Sequence, residues 1–210
     1  MFIRVGRARP RALRISVATA ASFLAICGFA ADRTLAGEPP SVTAGVHNGT
    51  LKITGTASAD TLALRLEPGH PEALDVDVGD DGTIDFRFDR STFGAIDVQG
   101  GAGDDAIRVD ESQGAFTDDA ITLDGGPGND TLIGGSGPDE LDGGSGDDVL
   151  RGGDGDDMLI GGPGSDQVDG GRGSDNASLG SGDDRFTWDP GDGSDAVDGG
   201  AGNEIGRAHV

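Results

Sequence analysis

The chain has 210 residues, 40 of them Gly, with 4% aromatics and a formal charge of −23. That much Gly, without a period of three and abundant Pro, argues against collagen. The acidic balance argues against nucleic acid and anionic membranes, which would be repelled, and favours cations.

Residues 1–36 stand apart. Arg4, Arg7, Arg9, Arg11 and Arg14 form a basic stretch, and Ile15 to Ala31 is apolar, small and uncharged. Small residues at Ala30, Ala31 and Ala36 then offer cleavage points, which is the layout of a secretory signal peptide. The apolar run is short for a membrane span of about 20 residues. No adjacent Arg pair is present, which favours the general secretory route over the twin-arginine route. Leu24-Ala25-Ile26-Cys27 resembles a bacterial lipobox, with Ile26 where a small residue is expected. Cys27 is the only cysteine, so cleavage leaves a chain that disulfides cannot stabilise. Six of the 15 basic and one of the 38 acidic residues lie in 1–36, leaving 9 against 37. A compact chain with that balance repels itself unless counter-ions bind.

Residues 37–99 read as a linker (GEPPS) followed by a β-hairpin-rich segment. Alternation from Val42 predicts short strands. Leu74 to Val78 and Thr83 to Phe88 flank Gly79-Asp80-Asp81-Gly82 as a hairpin. Asp77-x-Gly79-x-Asp81-Gly82 also has part of an EF-hand spacing, but Phe88 stands where Glu is needed, so the hairpin turn is the better reading.

From Gly125 six units run without a gap to Ser178: GGPGNDTLI, GGSGPDELD, GGSGDDVLR, GGDGDDMLI, GGPGSDQVD and GGRGSDNAS. The register is G-G-x-G-x-D-x-U-x, with U apolar. A seventh unit, LGSGDDRFT from Leu179, loses only its first Gly. Outlying units are GGAGDDAIR from Gly100, PGDGSDAVD from Pro190 after an insertion at Trp188-Asp189, and a degenerate GTASADTLA from Gly55. Residues 109–124 interrupt the array as a loop or an expanded coil.

Glycines at positions one, two and four allow positive φ and close approach to a ligand. Position six is an Asp oxygen donor, and positions seven to nine form a short strand with one inward apolar residue. Two such units make one flattened coil, so residues 18 apart share a column. One column is Asp130, Asp148, Asp166 and Asp184, and the other is Asp139, Asp157 and Asp175. Leu132, Leu150, Val168 and Phe186 form one apolar column; Leu141, Leu159 and Ala177 form the other. One sizeable apolar side chain per nine residues contributes roughly 1.5–3 kcal/mol. Ordering each of the nine backbones costs about 1–2 kcal/mol, so the carboxylate columns need internal neutralisation. Ca²⁺ fits, because it accepts six to eight carboxylate and carbonyl oxygens in irregular geometry, whereas Mg²⁺ demands strict octahedra. Zinc would want His or Cys.

These units resemble the RTX, or hemolysin-type, calcium-binding nonapeptide repeats. The resemblance covers residues 100–198, with a weaker echo at 55–63, within a repeat region that runs over 100–203. It implies an all-β fold, a right-handed parallel β-roll or β-solenoid, with several Ca²⁺ ions held by position-six carboxylates and main-chain carbonyls. Carried over by residue, the metal ligands are Asp105, Asp130, Asp139, Asp148, Asp157, Asp166, Asp175, Asp184 and Asp195. Members of the family usually leave the cell through a C-terminal signal, whereas this chain carries an N-terminal one.

No catalytic constellation is evident. His47 and His70 lack a nearby nucleophile motif, and the G-x-G strings precede no helical pattern. Pairs such as Asp147-Asp148 read as a metal ligand beside a solvated neighbour. The expected protein is a non-enzymatic, secreted bacterial calcium-binding repeat protein that folds on binding Ca²⁺ and serves a structural or adhesive role with cell-surface or matrix partners. The alternatives are the export and folding module of a larger enzyme or toxin, or an extracellular Ca²⁺ buffer. Residues 204–210, EIGRAHV, are what GAG ATC GGA AGA GCA CAC GTC encodes, which reads as a translated sequencing adapter. On that reading the natural chain continues past residue 203, and His209 carries no function. Long-read resequencing of the locus tests this.

Overall fold

The computed structural model describes residues 41–117, 119–188 and 193–208. The signal-peptide reading of 1–36, Cys27, Pro190 and His209 lie outside the described residues.

The described chain is built from eighteen short strands: β1 (Thr43–His47), β2 (Thr50–Thr54), β3 (Thr61–Glu67), β4 (His70–Val78), β5 (Phe86–Asp89), β6 (Ala95–Gln99), β7 (Ala106–Asp110), β8 (Ala120–Pro127), β9 (Thr131–Ile133), β10 (Asp139–Ser145), β11 (Val149–Asp154), β12 (Met158–Pro163), β13 (Gln167–Arg172), β14 (Asn176–Gly182), β15 (Arg185–Trp188), β16 (Ala196–Asp198), β17 (Ala201–Gly202) and β18 (Ile205–Ala208). They form two sheets. One runs β1-β2-β6-β8-β10-β12-β14-β16, with β17 also on β14; the other runs β18-β15-β13-β11-β9-β7-β3-β4-β5. Consecutive strands along the repeats alternate between the sheets, and within each sheet they pair in parallel. This is the parallel β-roll that the repeat predicts.

The register confirms the 18-residue coil: Leu132 pairs with Leu150, Leu150 with Val168 and Val168 with Phe186. The strands are longer than positions seven to nine, however. β11 continues through Gly152, Gly153 and Asp154, and Gly153 still pairs with Gly171. Two glycines per unit therefore lie in the ladder, and only positions four to six turn. Stacked carbonyls explain this: a Cβ on Gly162 would overlap the Gly144 carbonyl oxygen of the preceding coil.

The roll also begins before residue 100. β2 pairs in parallel with β6 (Leu51 with Ile96), and β3 with β7 (Leu62 with Ile107). Along the second sheet the offsets are 45 residues (62 to 107), then 25 (107 to 132), then 18. The first coil thus carries 27 residues beyond the regular 18, and these contain β4 and β5. The second carries seven extra, around the 3₁₀ turn Glu111–Gln113. That is the expanded coil expected of 109–124. The final offset, 20 residues from Phe186 to Gly206, absorbs the insertion after Thr187. The Ile205–Ala208 strand pairs in parallel with β15.

The predicted hairpin is present, with Leu74 opposite Phe88 and Val76 opposite Phe86. Its acids are used structurally. Arg65 bonds Asp77 at 2.7 Å, Asp77 also accepts from the Gly82 N–H, and Arg87 grips the buried Asp75 with two bonds of 2.5 and 3.0 Å. The carboxylate that would open an EF-hand loop is therefore committed to a guanidinium. Antiparallel β1 and β5 close the N-terminal edges of the two sheets. Asn48 and Gly49, with φ of 52° and 81°, supply the tight turn between β1 and β2.

A side chain from the first insertion locks onto the second. Arg90 donates to Asp119, which is 6% exposed, and its guanidinium lies 5.6 Å from the Phe116 ring centroid. Arg90→Ala would strand that carboxylate. The expected cost is about 3 kcal/mol, by the rule for half-removed buried pairs, read as a lower Tm in the calcium-saturated protein. An unchanged Tm would show that the pair holds nothing.

The core changes character along the roll. Leu51, Ile96 and Ile121 occupy successive coils of the first sheet, and the next residue in that column is Asp139. Beside them run Ile53, Val98, Leu123, Leu141, Leu159 and Ala177. The first three coils are thus apolar on this side, filled further by Phe93 and Phe116. From the fourth coil on, the same inward position is a carboxylate.

Candidate metal centre

Nine residues were expected to carry the chemistry, and the fold sorts them into two columns. In one, the Asp105 N–H donates to Asp130 Oδ1 (2.7 Å), Asp130 to Asp148 (2.7 Å), Asp148 to Asp166 (2.9 Å) and Asp166 to Asp184 (2.9 Å). In the other, Asp139 donates to Asp157 (2.9 Å), Asp157 to Asp175 (2.9 Å) and Asp175 to Asp195 (3.1 Å). Each carboxylate except Asp139 therefore takes one backbone N–H from the coil before it, Asp139 instead accepting the Gly135 N–H of its own turn at 2.7 Å, and each stands on the roll's interior. Eight of the nine are at most 3% exposed; Asp195 is half-buried.

One oxygen of each is thereby fixed, and the other is not. Oδ2 of Asp105, Asp130, Asp148, Asp157, Asp166 and Asp184, and Oδ1 of Asp139, are buried with no hydrogen-bond partner among the described residues. A buried carboxylate oxygen left so is costly unless a cation meets it.

The surroundings of that oxygen repeat. A methyl group added to Gly143 would lie 2.5 Å from Asp148 Oδ2 and 2.9 Å from the Gly161 carbonyl oxygen. On Gly100 it would lie 2.5 Å from Asp105 Oδ2 and 2.8 Å from the Gly125 carbonyl oxygen. On Gly161 it would lie 2.5 Å from the Leu179 carbonyl oxygen and 2.6 Å from Asp166 Oδ2. The first glycine of a unit thus fronts a space bounded by its own position-six carboxylate and by a carbonyl of the next coil. Only a hydrogen atom fits there without crowding the oxygens.

Electrostatics mark the same groups. Burial pushes the carboxyls of Asp148 and Asp157 up to about 7, and those of Asp105, Asp139 and Asp166 up to about 6. The accepted N–H works in the opposite direction, while neighbouring carboxylates add to the rise. Coils stack about 4.8 Å apart, so like charges sit one above another.

The donor set excludes soft or nitrogen-preferring metals. Among the described residues no three His, Cys, Asp or Glu side chains gather as a metal cluster. His47 and His70 are exposed, and His70 contacts Glu72 at 3.0 Å. Any ion here must take carboxylate oxygens together with backbone carbonyls, which suits Ca²⁺. The paired acids divide as expected: Asp148 is buried, while exposed Asp147 accepts the Ser165 N–H.

Asp60 was missed as a member of the column. It is position six of the degenerate unit, its N–H donates to Asp105 Oδ1 (2.7 Å), and its own Oδ2 accepts the Thr56 N–H (2.6 Å). The spacing of GTASADTLA carried that signal. Glu204 takes the corresponding place one coil beyond Asp184, since the Ile205 N–H donates to the Asp184 carbonyl at 2.8 Å.

Stacked glycine turns that align buried carboxylates with carbonyl oxygens define a calcium-binding repeat roll. The family model for the RTX calcium-binding nonapeptide repeat, in its four-copy form, matches residues 124–159 and again 151–186. This stretch of the chain is an array of RTX repeats, which bind Ca²⁺ ions. No curated protein and no solved structure is significantly similar to the chain.

Proposed function

We propose that the chain is an exported, non-enzymatic protein whose roll folds when Ca²⁺ binds between its coils. The carrying observation is the set of buried carboxylate oxygens without protein partners. Asp105, Asp130, Asp139, Asp148, Asp157 and Asp166, with carbonyl oxygens of the following coil, would hold the ions; Asp175, Asp184 and Asp195 continue the same two columns. Bound Ca²⁺ supplies positive charge that lets these carboxylates stay ionised inside the protein. The protein supplies the rest: the N–H ladder orients each carboxylate, and the first glycine leaves room beside it.

Export is supported by the signal-like residues 1–36. Among the described residues no helix is long and apolar enough to cross a membrane. Extracellular modules bind Ca²⁺ with Kd of about 10⁻⁴–10⁻³ M, so the chain would stay unfolded in the cytoplasm and fold outside. A structural or adhesive role at the cell surface suits a roll whose outer face is polar and whose described part shows no catalytic constellation. A folding module for a larger enzyme or toxin, or a Ca²⁺ buffer, are the other roles compatible with the same chemistry. Circular dichroism should show β-structure rising with Ca²⁺ near millimolar concentration and not with equal Mg²⁺. A spectrum equally folded in excess chelator would refute the coupling of folding to the metal.

A further inference from the structure

The seventh unit departs from the pattern at its first position, where Leu179 replaces Gly. Gly162 pairs with Gly180, so Leu179 aligns with Gly161 one coil before. At Gly161 a Cβ would point at Asp166 Oδ2, 2.6 Å away. By the same translation the Leu179 side chain points at Asp184 Oδ2. It is 1% exposed and belongs to the hydrophobic core, as does Ala177 two residues earlier on the same inward face.

A packing reason accompanies the replacement. The apolar column of this sheet runs Leu141, Leu159, Ala177, so it loses most of a side chain at Ala177. Leu179 returns that volume from two residues on. It does so by filling the space that a first-position glycine keeps open beside its carboxylate elsewhere in the column.

We infer that Leu179 closes the Asp184 turn to calcium, so that this column of sites ends at the Asp166 turn. The inference rests on the reading that position-six carboxylates hold the ions. It makes apolar packing and metal binding alternatives at one position. A unit that follows a full-sized position-eight residue can keep glycine at its own position one and take an ion. The seventh unit, which follows Ala177 at position eight of the sixth, fills the gap with Leu179 at its own position one and takes none.

Counting bound Ca²⁺ per chain, by equilibrium dialysis of the full chain at saturating calcium, tests this. Asn keeps the oxygen that accepts the preceding N–H, so Asp→Asn removes the charge and spares the ladder. Asp166→Asn should lose one ion, and Asp184→Asn should lose none. Leu179→Gly should gain one ion, and adding Asp184→Asn to it should remove the gain. If Asp184→Asn loses an ion as Asp166→Asn does, Leu179 does not close the turn and the inference falls alone. If Asp166→Asn also keeps the wild-type count, the ligand reading falls and takes the inference with it. Should Leu179→Gly fail to fold in calcium, as judged by circular dichroism, the contrast between the two Asp→Asn variants decides by itself.

Discussion

Gly164→Ala is expected to prevent the roll from folding at any calcium concentration that folds the wild type. Gly164 has φ of 150°, and a Cβ there would overlap the carbonyl oxygen of Gly146 in the preceding coil. The same overlap would arise for Gly146 on Gly128 and for Gly182 on Gly164. The column therefore cannot relax by moving one residue, because its neighbours are packed by the same rule. A cost above about 4 kcal/mol puts this among the most damaging single substitutions. The control is Gly69→Ala, in the turn between β3 and β4. Gly69 has φ of 79°, with nothing within 4 Å of the added Cβ. Only backbone strain opposes alanine there, at about 1–2 kcal/mol. Calcium titrations followed by circular dichroism compare the two, and near-equal midpoints would show that coil spacing is softer than the stacked carbonyls indicate.

Acid should partly replace calcium. The carboxyls of Asp148 and Asp157 titrate near 7 in the metal-free fold, and those of Asp105, Asp139 and Asp166 near 6, against 3.8 for an unperturbed Asp. Burial is the first cause in each case. The folded chain then binds protons more tightly than the unfolded one, so its stability falls as pH rises. The contribution is complete below about pH 3.8 and is lost as pH climbs through about 6 to 7. In excess chelator, lowering the pH from about 8 to about 5 should therefore raise the β-signal. Wherever a melting transition is seen, Tm should rise by several degrees, since about 1 kcal/mol moves Tm by about 2–4 °C in a domain of this size. Calcium added near pH 6 should release protons, because the ligands must be ionised to bind it. A metal-free Tm that falls on acidification across this window would contradict the assignment of buried, proton-holding carboxylates.

Both predictions turn on features that the sequence shows unequally. The G-G-x-G-x-D-x-U-x period made the 18-residue coil, the two carboxylate columns and the Leu132–Leu150–Val168–Phe186 stripe legible at once, because each is a local pattern repeated at constant spacing. Asp60 and the apolar column Leu51–Ile96–Ile121 were harder to read. Offsets of 45 and 25 residues separate them from the regular coils, so equivalence along the sheet does not appear as a period. The extension of the strands through two glycines was likewise hidden. Glycine disfavours strands by itself, and only the carbonyl of the coil below makes it obligatory there.

The sequence by itself determined that the chain would coil, where the carboxylates would line up, and that a cation with oxygen preference had to meet them. Those conclusions need only a repeat, a count of apolar residues and the charge. The tertiary structure decided where the roll begins, how the insertions of 27 and seven residues are carried without breaking the ladder, and which carboxylate oxygens are buried without a hydrogen-bond partner among the described residues. It also showed that the column of Leu51, Ile96 and Ile121 is apolar in the first three coils and becomes a carboxylate column from Asp139 on. The physical reason is that an oxygen's partners and a column's neighbours are set by contacts one coil away, across a variable number of residues. Local sequence specifies the turn, but only stacking specifies what each turn faces.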